Sequence, residues 1–166
     1  VIKTSENSRL SLRFPDGSIV IVPSNTQIRL DKLQQSGFTE INAAEATIDR
    51  GKVEALVTRQ TPEDSFQLKT RRAVAGVRGT EFRFGENQNE ETVLEVLNGE
   101  VALIRPDGGE LSVGTQQAVN ITVNGEVSSV PLPTRPQILP ESTTQIAQKI
   151  QIYLSRTEIG RASCRE

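Results

Sequence analysis

The chain has 166 residues, with 19 basic and 21 acidic side chains, a formal charge of −2 and no His, Met or Trp. This composition excludes His-based triads, His metal sites and aromatic platforms for single-stranded nucleic acid, and it leaves no global field to attract nucleic acid or anionic lipid. Val, Ile and Thr number 15, 13 and 15, so 43 side chains are β-branched. This bias favours strands over helices.

Short strand patterns separated by turn residues follow one another from the N-terminus. Leu10, Leu12 and Phe14 alternate with polar residues, which places apolar side chains on one face of a strand. After the turn sequence Pro-Asp-Gly, the unbroken apolar run Ile19–Val22 predicts a strand buried on both faces. Alternation resumes at Ile28, and further short strands are predicted around residues 46–48, 53–57, 66–68 and 80–84.

The dipeptide Asn98-Gly99 gives the strongest local signal in the chain. It lies between two apolar runs, 93–97 and 101–104. Because Asn-Gly readily adopts positive φ angles, this pattern predicts a type I′ β-hairpin. Additional strands are predicted at residues 111–113, 119–123 and 127–130.

Five glycines each precede the first apolar side chain of a predicted strand by two residues: Gly17, Gly51, Gly99, Gly109 and Gly125. Each is expected to supply a corner with positive φ, although their spacing has no fixed period. About a dozen short strands joined by such corners predict an all-β protein. We expect a rolled or solenoid-like stack, with a twisted two-sheet β-sandwich as the alternative.

The composition changes after the predicted β domain of residues 1–130. Four prolines within ten residues predict a linker over 131–141. Residues 142–158 fit a short helix or a strand, with helix favoured, and could also begin a truncated second domain. Residues 159–166 resemble a translated sequencing adapter, so we expect a non-native tail on a fragment. No apolar run is long enough to span a membrane.

Charge is distributed unevenly in the middle of the chain. Residues 69–83 contain five cations, whereas residues 86–100 contain five carboxylates and no cation. This pattern predicts ion pairs between neighbouring strands. The alternative is a docking patch for a charged partner, for which Arg71, Arg72 and Arg83 are the candidate residues.

The search for catalytic chemistry returns no candidate. Without His, a Ser or Cys nucleophile would need Lys or a carboxylate as its base, and no pattern points to one. The segment from Gly76 lacks the spacing of a phosphate loop. Asp16, Asp49 and Asp107 each lie beside Gly at a turn, where local hydrogen bonds account for them without a metal. We therefore expect no catalytic residue, no cofactor and no metal site, and not an enzyme.

The segment FQLKTRRAVAGVRGTEFRF at 66–84 closely resembles the signature of FecR-like domains, T-P-x-A-V-x-G-V-R-G-T-x-F. A later V-L-x-G-x-V phrase of that family resembles residues 96–101. The stretch 9–22 is similar to sequence that precedes the signature in envelope proteins combining FecR-like and LysM modules. The residues that match the family motif are Gly76, Val77, Arg78, Gly79, Thr80, Phe82 and Gly99.

This resemblance implies a non-catalytic, β-rich domain of the bacterial envelope, periplasmic or secreted, that acts by protein–protein contact in cell-surface signalling or envelope assembly. Its partner would be an unidentified protein and not nucleic acid; a peptidoglycan- or glycan-binding accessory module is the alternative. We expect the motif residues to be structural. Gly76 and Gly79 would shape the backbone, Val77 and Phe82 would fill the core, and Arg78 would bind turn carbonyls.

Overall fold

The computed structural model describes residues 1–36, 40–58 and 65–132, without the side chains of 35, 36 and 40–42. This part of the chain contains strands and no helix, so the predicted all-β class is confirmed. The predicted segments 142–158 and 159–166, and all but the first two residues of the predicted linker 131–141, lie outside the described residues. The strands are β1 Ile2–Lys3, β2 Leu10–Arg13, β3 Ile19–Val22, β4 Gln27–Ser36, β5 Glu40–Arg50, β6 Lys52–Leu56, β7 Ser65–Lys69, β8 Val74–Val77, β9 Glu81–Glu86, β10 Thr92–Asn98, β11 Glu100–Ile104, β12 Glu110–Gly114, β13 Gln117–Ile121 and β14 Val127–Val130.

The strands form two seven-stranded sheets. Sheet A has the order β1-β4-β5-β7-β8-β11-β12, and sheet B has the order β2-β3-β6-β9-β10-β13-β14. In each sheet the strand order follows the chain, so each later strand is added beside an earlier strand of the same sheet. The two-sheet alternative fits this architecture, whereas a solenoid is not confirmed. Pairing is antiparallel except between β5 and β7, because β6 crosses to sheet B between them.

A single hydrophobic core lies between the sheets. Strands such as β6, β7 and β8 alternate buried and half-buried residues, as expected when one face of a strand packs inward. The four residues of β3 are all buried, which confirms the predicted burial on both faces. The largest fully buried side chains include Phe82, Phe84, Ile48, Leu68, Leu94 and Leu103, which come from both sheets.

The predicted hairpin at Asn98-Gly99 is wrong. Strand β10 pairs with β9 and β13 in sheet B, whereas β11 pairs with β8 and β12 in sheet A. A type I′ turn needs positive φ at both central residues, but of the two only Gly99 has it, with φ +97°. Because each strand finds two partners in its own sheet, tertiary pairing overrides the local signal and Gly99 turns the chain between layers.

The corner glycines follow the prediction with one exception. Gly17, Gly51, Gly99 and Gly125 have positive φ, but Gly109 does not. Its neighbour Gly108 takes that conformation in the turn between β11 and β12.

The turns collect at two ends of the sheets. Along β9, Glu81 pairs with Leu56 and Gly85 pairs with Lys52, so the β9 start and Gly51 lie at opposite ends. We call the end formed by turns 78–80, 98–99 and 114–117 the motif end. The end formed by 23–26, 50–51, 70–73 and 86–91 is the cleft end.

Candidate interaction surfaces

The FecR-like motif forms a crossing between the two sheets. Thr80, between β8 and β9, is 1% exposed; its Oγ1 donates to the Glu100 carbonyl at 2.8 Å and accepts from the Glu100 N–H at 3.3 Å. Gly99 packs against this turn so closely that a Cβ would lie 2.8 Å from both the Gly79 carbonyl oxygen and Thr80 Oγ1. We call this arrangement the motif corner.

A second corner of the same design lies at the cleft end, where β3 crosses to β4. Thr26 is 3% exposed, and its Oγ1 lies 3.2 Å from the Ser24 carbonyl and 3.4 Å from the Lys52 carbonyl. A Cβ on Gly51 would lie 2.6 Å from Thr26 Oγ1 and 3.1 Å from its Cα. We call this arrangement the Thr26 corner.

The remaining motif residues lie in β8, in β9 or, for Arg78, directly after β8. Val77 and Phe82 belong to the core. Gly76 lies in the extended strand, where a Cβ would meet the Ala102 carbonyl at an ordinary 3.7 Å, so its backbone does not require glycine. Gly76 and the exposed Arg78 line a shallow groove of about 430 Å³ on the outer face of sheet A.

The three candidate surface arginines are not gathered into one patch. Arg83 lies on the outer face of sheet B, 3.3 Å from Glu95, its cross-strand neighbour, and 3.7 Å from Glu54. Arg71 and Arg72 lie in the turn between β7 and β8, 3.6 Å from Glu90 and 3.9 Å from Glu86 respectively. Each cation therefore has a carboxylate partner, and these are ion pairs of the kind that the charge pattern predicts.

The ion pairs around Arg83 are partly shielded from water. Glu95 is buried and forms ion pairs with two cations, Arg83 at 3.3 Å and Lys52 at 3.7 Å. Burial raises the pKa of the neighbouring Glu54 carboxyl, while Arg83 and Arg9 oppose that rise. These carboxylates and cations pair with one another on the outer face of sheet B, so the network does not form an open docking patch.

A cleft with a volume of about 950 Å³ lies at the cleft end. The Glu86 N–H donates to the Gly51 carbonyl at 2.8 Å, which holds the end of β9 next to the Thr26 corner. The cleft is polar and carries charges of both signs. Its charged and amide side chains are Glu6, Asn25, Asp49, Arg50, Lys52, Arg71, Glu86, Asn87, Gln88 and Glu90.

Sequence reasoning identified only one residue of this cleft, Arg71, as a surface candidate. Arg50 ends β5 and Gln88 lies in the turn between β9 and β10; the topology brings them to the same end, and no local pattern marks them. The only local signal is the pair of cations that flank Gly51, Arg50 and Lys52. Arg72 lines a separate, smaller cleft of about 360 Å³ with Arg105.

The described ranges contain no group of three or more His, Cys, Asp or Glu side chains able to hold a metal ion. No helix in that part of the chain has the length and apolar character needed to cross a membrane.

The family model described as FecR protein matches residues 1–102, and the chain therefore belongs to the FecR family. Two crystal structures of a candidate anti-sigma factor from Parabacteroides distasonis are similar in fold, each with a TM-score of 0.64 and 21% identity. Each match covers 78% of this chain but 58% of the other, so the chain corresponds to little more than half of that protein. No curated protein sequence matches the chain.

Proposed function

We propose that the chain is a non-catalytic contact module of the bacterial envelope, periplasmic or secreted, which takes part in signalling by binding another protein. Membership of the FecR family supports a regulatory role. The description of a structural relative as a candidate anti-sigma factor agrees with it. Both observations support a kind of role, whereas the cleft supports the site of contact.

The open, mixed-charge cleft is the observation that carries this proposal. Its side chains include three cations, Arg50, Lys52 and Arg71, and four carboxylates. This balance does not favour a polyanion such as nucleic acid. Charges of both signs together with amides match the groups that a polypeptide segment presents. Arg50 takes part in no ion pair within the described ranges, so its charge is available to a partner.

A glycan partner has less support from the described side chains. Aromatic faces are the usual platforms for sugar rings, but Phe66, Phe82 and Phe84 are buried. Phe14 packs edge-on against Phe66, with ring centroids 5.9 Å apart. None of these rings lines the cleft.

Site-specific photo-crosslinking tests the proposed contact surface. A benzoylphenylalanine probe at Gln88, which is exposed at the cleft, is expected to yield a discrete protein adduct in cells that export the chain to the periplasm. The same probe at Asn98, exposed at the motif end, serves as the matched control. Equal adducts from both positions, or none from Gln88, would contradict a contact at the cleft.

Charge reversal then tests the chemistry of the contact. Arg50→Glu is expected to weaken binding to the crosslinked partner about 10-fold, because a rim charge becomes repulsive. Arg13→Glu, at an exposed position of β2 away from the cleft, should leave binding unchanged. Retention of the purified chain on sedimented peptidoglycan, unaffected by Arg50→Glu, would instead favour the glycan alternative.

A further inference from the structure

One edge of β4 is largely unpaired. β1 contacts only the first two residues of β4, with Ile2 opposite Ile28 and Lys3 opposite Gln27. Within the described ranges no strand pairs with residues 29–36 on the side away from β5. Free N–H and C=O groups along such an edge are a template for another strand.

Two leucines beside this edge are exposed although they face the other sheet. Leu30 is opposite Ala46 and Leu33 is opposite Ala44, and both alanines belong to the core. Leu30 is nevertheless 44% exposed and Leu33 55% exposed. The adjoining apolar space, bordered by Leu12 and other core side chains, holds only about 10 Å³, which is too small for a ligand.

A β-bulge gives this segment a symmetrical pattern. Pairing with β5 shifts between Leu30 and Lys32, so Asp31 is the extra residue. Asp31 accepts hydrogen bonds from Arg29 at 2.8 Å and from Thr47 on the outer face. Lys32 is opposite Glu45, which also faces outward and binds Lys69. From Leu30 to Leu33 the side chains therefore point inward, outward, outward and inward, a pattern that reads the same in both directions.

We propose that β4 pairs antiparallel with β4 of a second copy of this chain, about a twofold axis between Asp31 and Lys32. In that register Asp31 lies opposite Lys32 of the second copy, and Leu30 lies opposite its Leu33. All four positions match in face because the pattern is symmetrical. Two opposite-charge pairs and two leucine pairs would then stabilise one continuous sheet.

Self-complementary charge is what favours a second copy over an unrelated strand. A foreign segment could use the same free edge, but β4 itself supplies a carboxylate and an ammonium group at symmetry-related positions. Charged residues and bulges also occur on edge strands as protection against pairing. Under that explanation the chain is monomeric and the order of the two charges is immaterial.

Sedimentation equilibrium of the full chain distinguishes these explanations. The unmodified chain is expected to show a concentration-dependent monomer–dimer equilibrium. Asp31→Lys and Lys32→Asp should each weaken the dimer about 10-fold or more, because both symmetry-related pairs become like-charged. An equimolar mixture of the two variants should dimerise again, since their charges are complementary.

The mixture also controls for folding. Asp31→Lys removes the bonds to Arg29 and Thr47 in the mixture as well as alone, so recovery there can come only from pairing between chains. A chain that stays monomeric at its highest soluble concentration would overturn the proposal. So would a dimer insensitive to both single substitutions, or a mixture that remains monomeric.

Discussion

The motif corner and the Thr26 corner reach the same backbone arrangement from different sequences. In both, a residue with positive φ precedes a buried threonine: Gly79 at φ +66° and Asn25 at φ +56°. In both, the threonine hydroxyl approaches the carbonyl of the residue that follows a corner glycine. The comparison indicates that the FecR signature encodes a way to cross between sheets, which the chain also builds with Ser-Asn-Thr.

The two corners differ in tightness and in surroundings. At the motif corner the hydroxyl bond is 2.8 Å and the atoms facing Gly99 include a backbone carbonyl. At the Thr26 corner the corresponding bond is 3.4 Å, and the nearest atom to Gly51 is a side-chain hydroxyl. Only the looser corner borders the 950 Å³ cleft. The signature therefore marks the more tightly bonded corner, and the partner surface that we propose lies at the other end.

Adding a methyl group at each corner glycine should give the largest effect. Gly99→Ala should cost about 3 kcal/mol and Gly51→Ala about 2 kcal/mol, because strain at positive φ adds to a steric clash. Gly108→Ala is the control, since its φ is +82° but a Cβ would meet nothing within 4 Å. Its cost should be about 1 kcal/mol. Urea unfolding measures all three, and equal losses would show that the close packing is unimportant.

Removing the threonine hydroxyl should lower stability more at the motif corner than at the Thr26 corner. At each corner the loss should be smaller than that from the glycine substitution. Thr80→Val should cost about 2 kcal/mol, because it leaves the backbone of Glu100 without its buried partner. Thr26→Val should cost about 1 kcal/mol, since its bonds are longer. Thr80→Ser and Thr26→Ser retain the hydroxyl and should recover most of each loss. A larger loss at Thr26 would reverse the assignment of the tighter corner.

Exchanging the residues that precede the threonines should have a still smaller effect. Gly79→Asn should cost no more than about 1 kcal/mol, because Asn tolerates the left-handed region that it already occupies at residue 25. Gly79→Val should cost clearly more, since β-branched residues disfavour that region. If Asn and Val were equally harmful by thermal unfolding, the two corners would not be equivalent.

The smallest effects should come from changes in pH. Hydroxyls and carbonyls form both corners, so the stability difference between the corners should not depend on pH. Burial raises the pKa of Glu54, so the stability linked to this group is present at low pH and is lost as pH rises through its folded pKa. Glu54→Gln should therefore gain stability relative to the unmodified chain between about pH 4 and about pH 7.

Glu91 is the matched control with the opposite sign. Hydrogen bonds from Asn87 and Asn120 lower its pKa, so its contribution is present above the unfolded pKa and is lost as pH falls through the folded pKa. Glu91→Gln should accordingly lose relative stability as pH rises towards the unfolded pKa, from about pH 3 to about pH 5, and change little above that. Parallel trends for the two variants in urea unfolding would contradict these assignments.

The sequence predicts the strands well and the connections between them less well. Alternation at Phe66 and Leu68 and the apolar run of β3 report burial directly, because side-chain direction follows from strand geometry. Asn98-Gly99 misleads because the choice between a hairpin and a crossing depends on strands elsewhere in the chain.

The surfaces are the least predictable part. Arg50 and Gln88 are 38 positions apart in sequence and share a cleft only because the end of β5 and the β9–β10 turn lie at the same end of the sheets. Likewise, Leu30 and Leu33 share a face only because of the bulge at Asp31, which strict alternation does not anticipate.

The chain-ordered arrangement of both sheets has a consequence for how the protein is made. From β3 onward, each strand pairs with at least one strand that precedes it in the chain. A nascent polypeptide can therefore fold from its N-terminus onward as it leaves the ribosome or a translocation channel, with each new strand pairing with the edge of a sheet that has already formed. Few strands are then unpaired at any stage of synthesis, which limits aggregation.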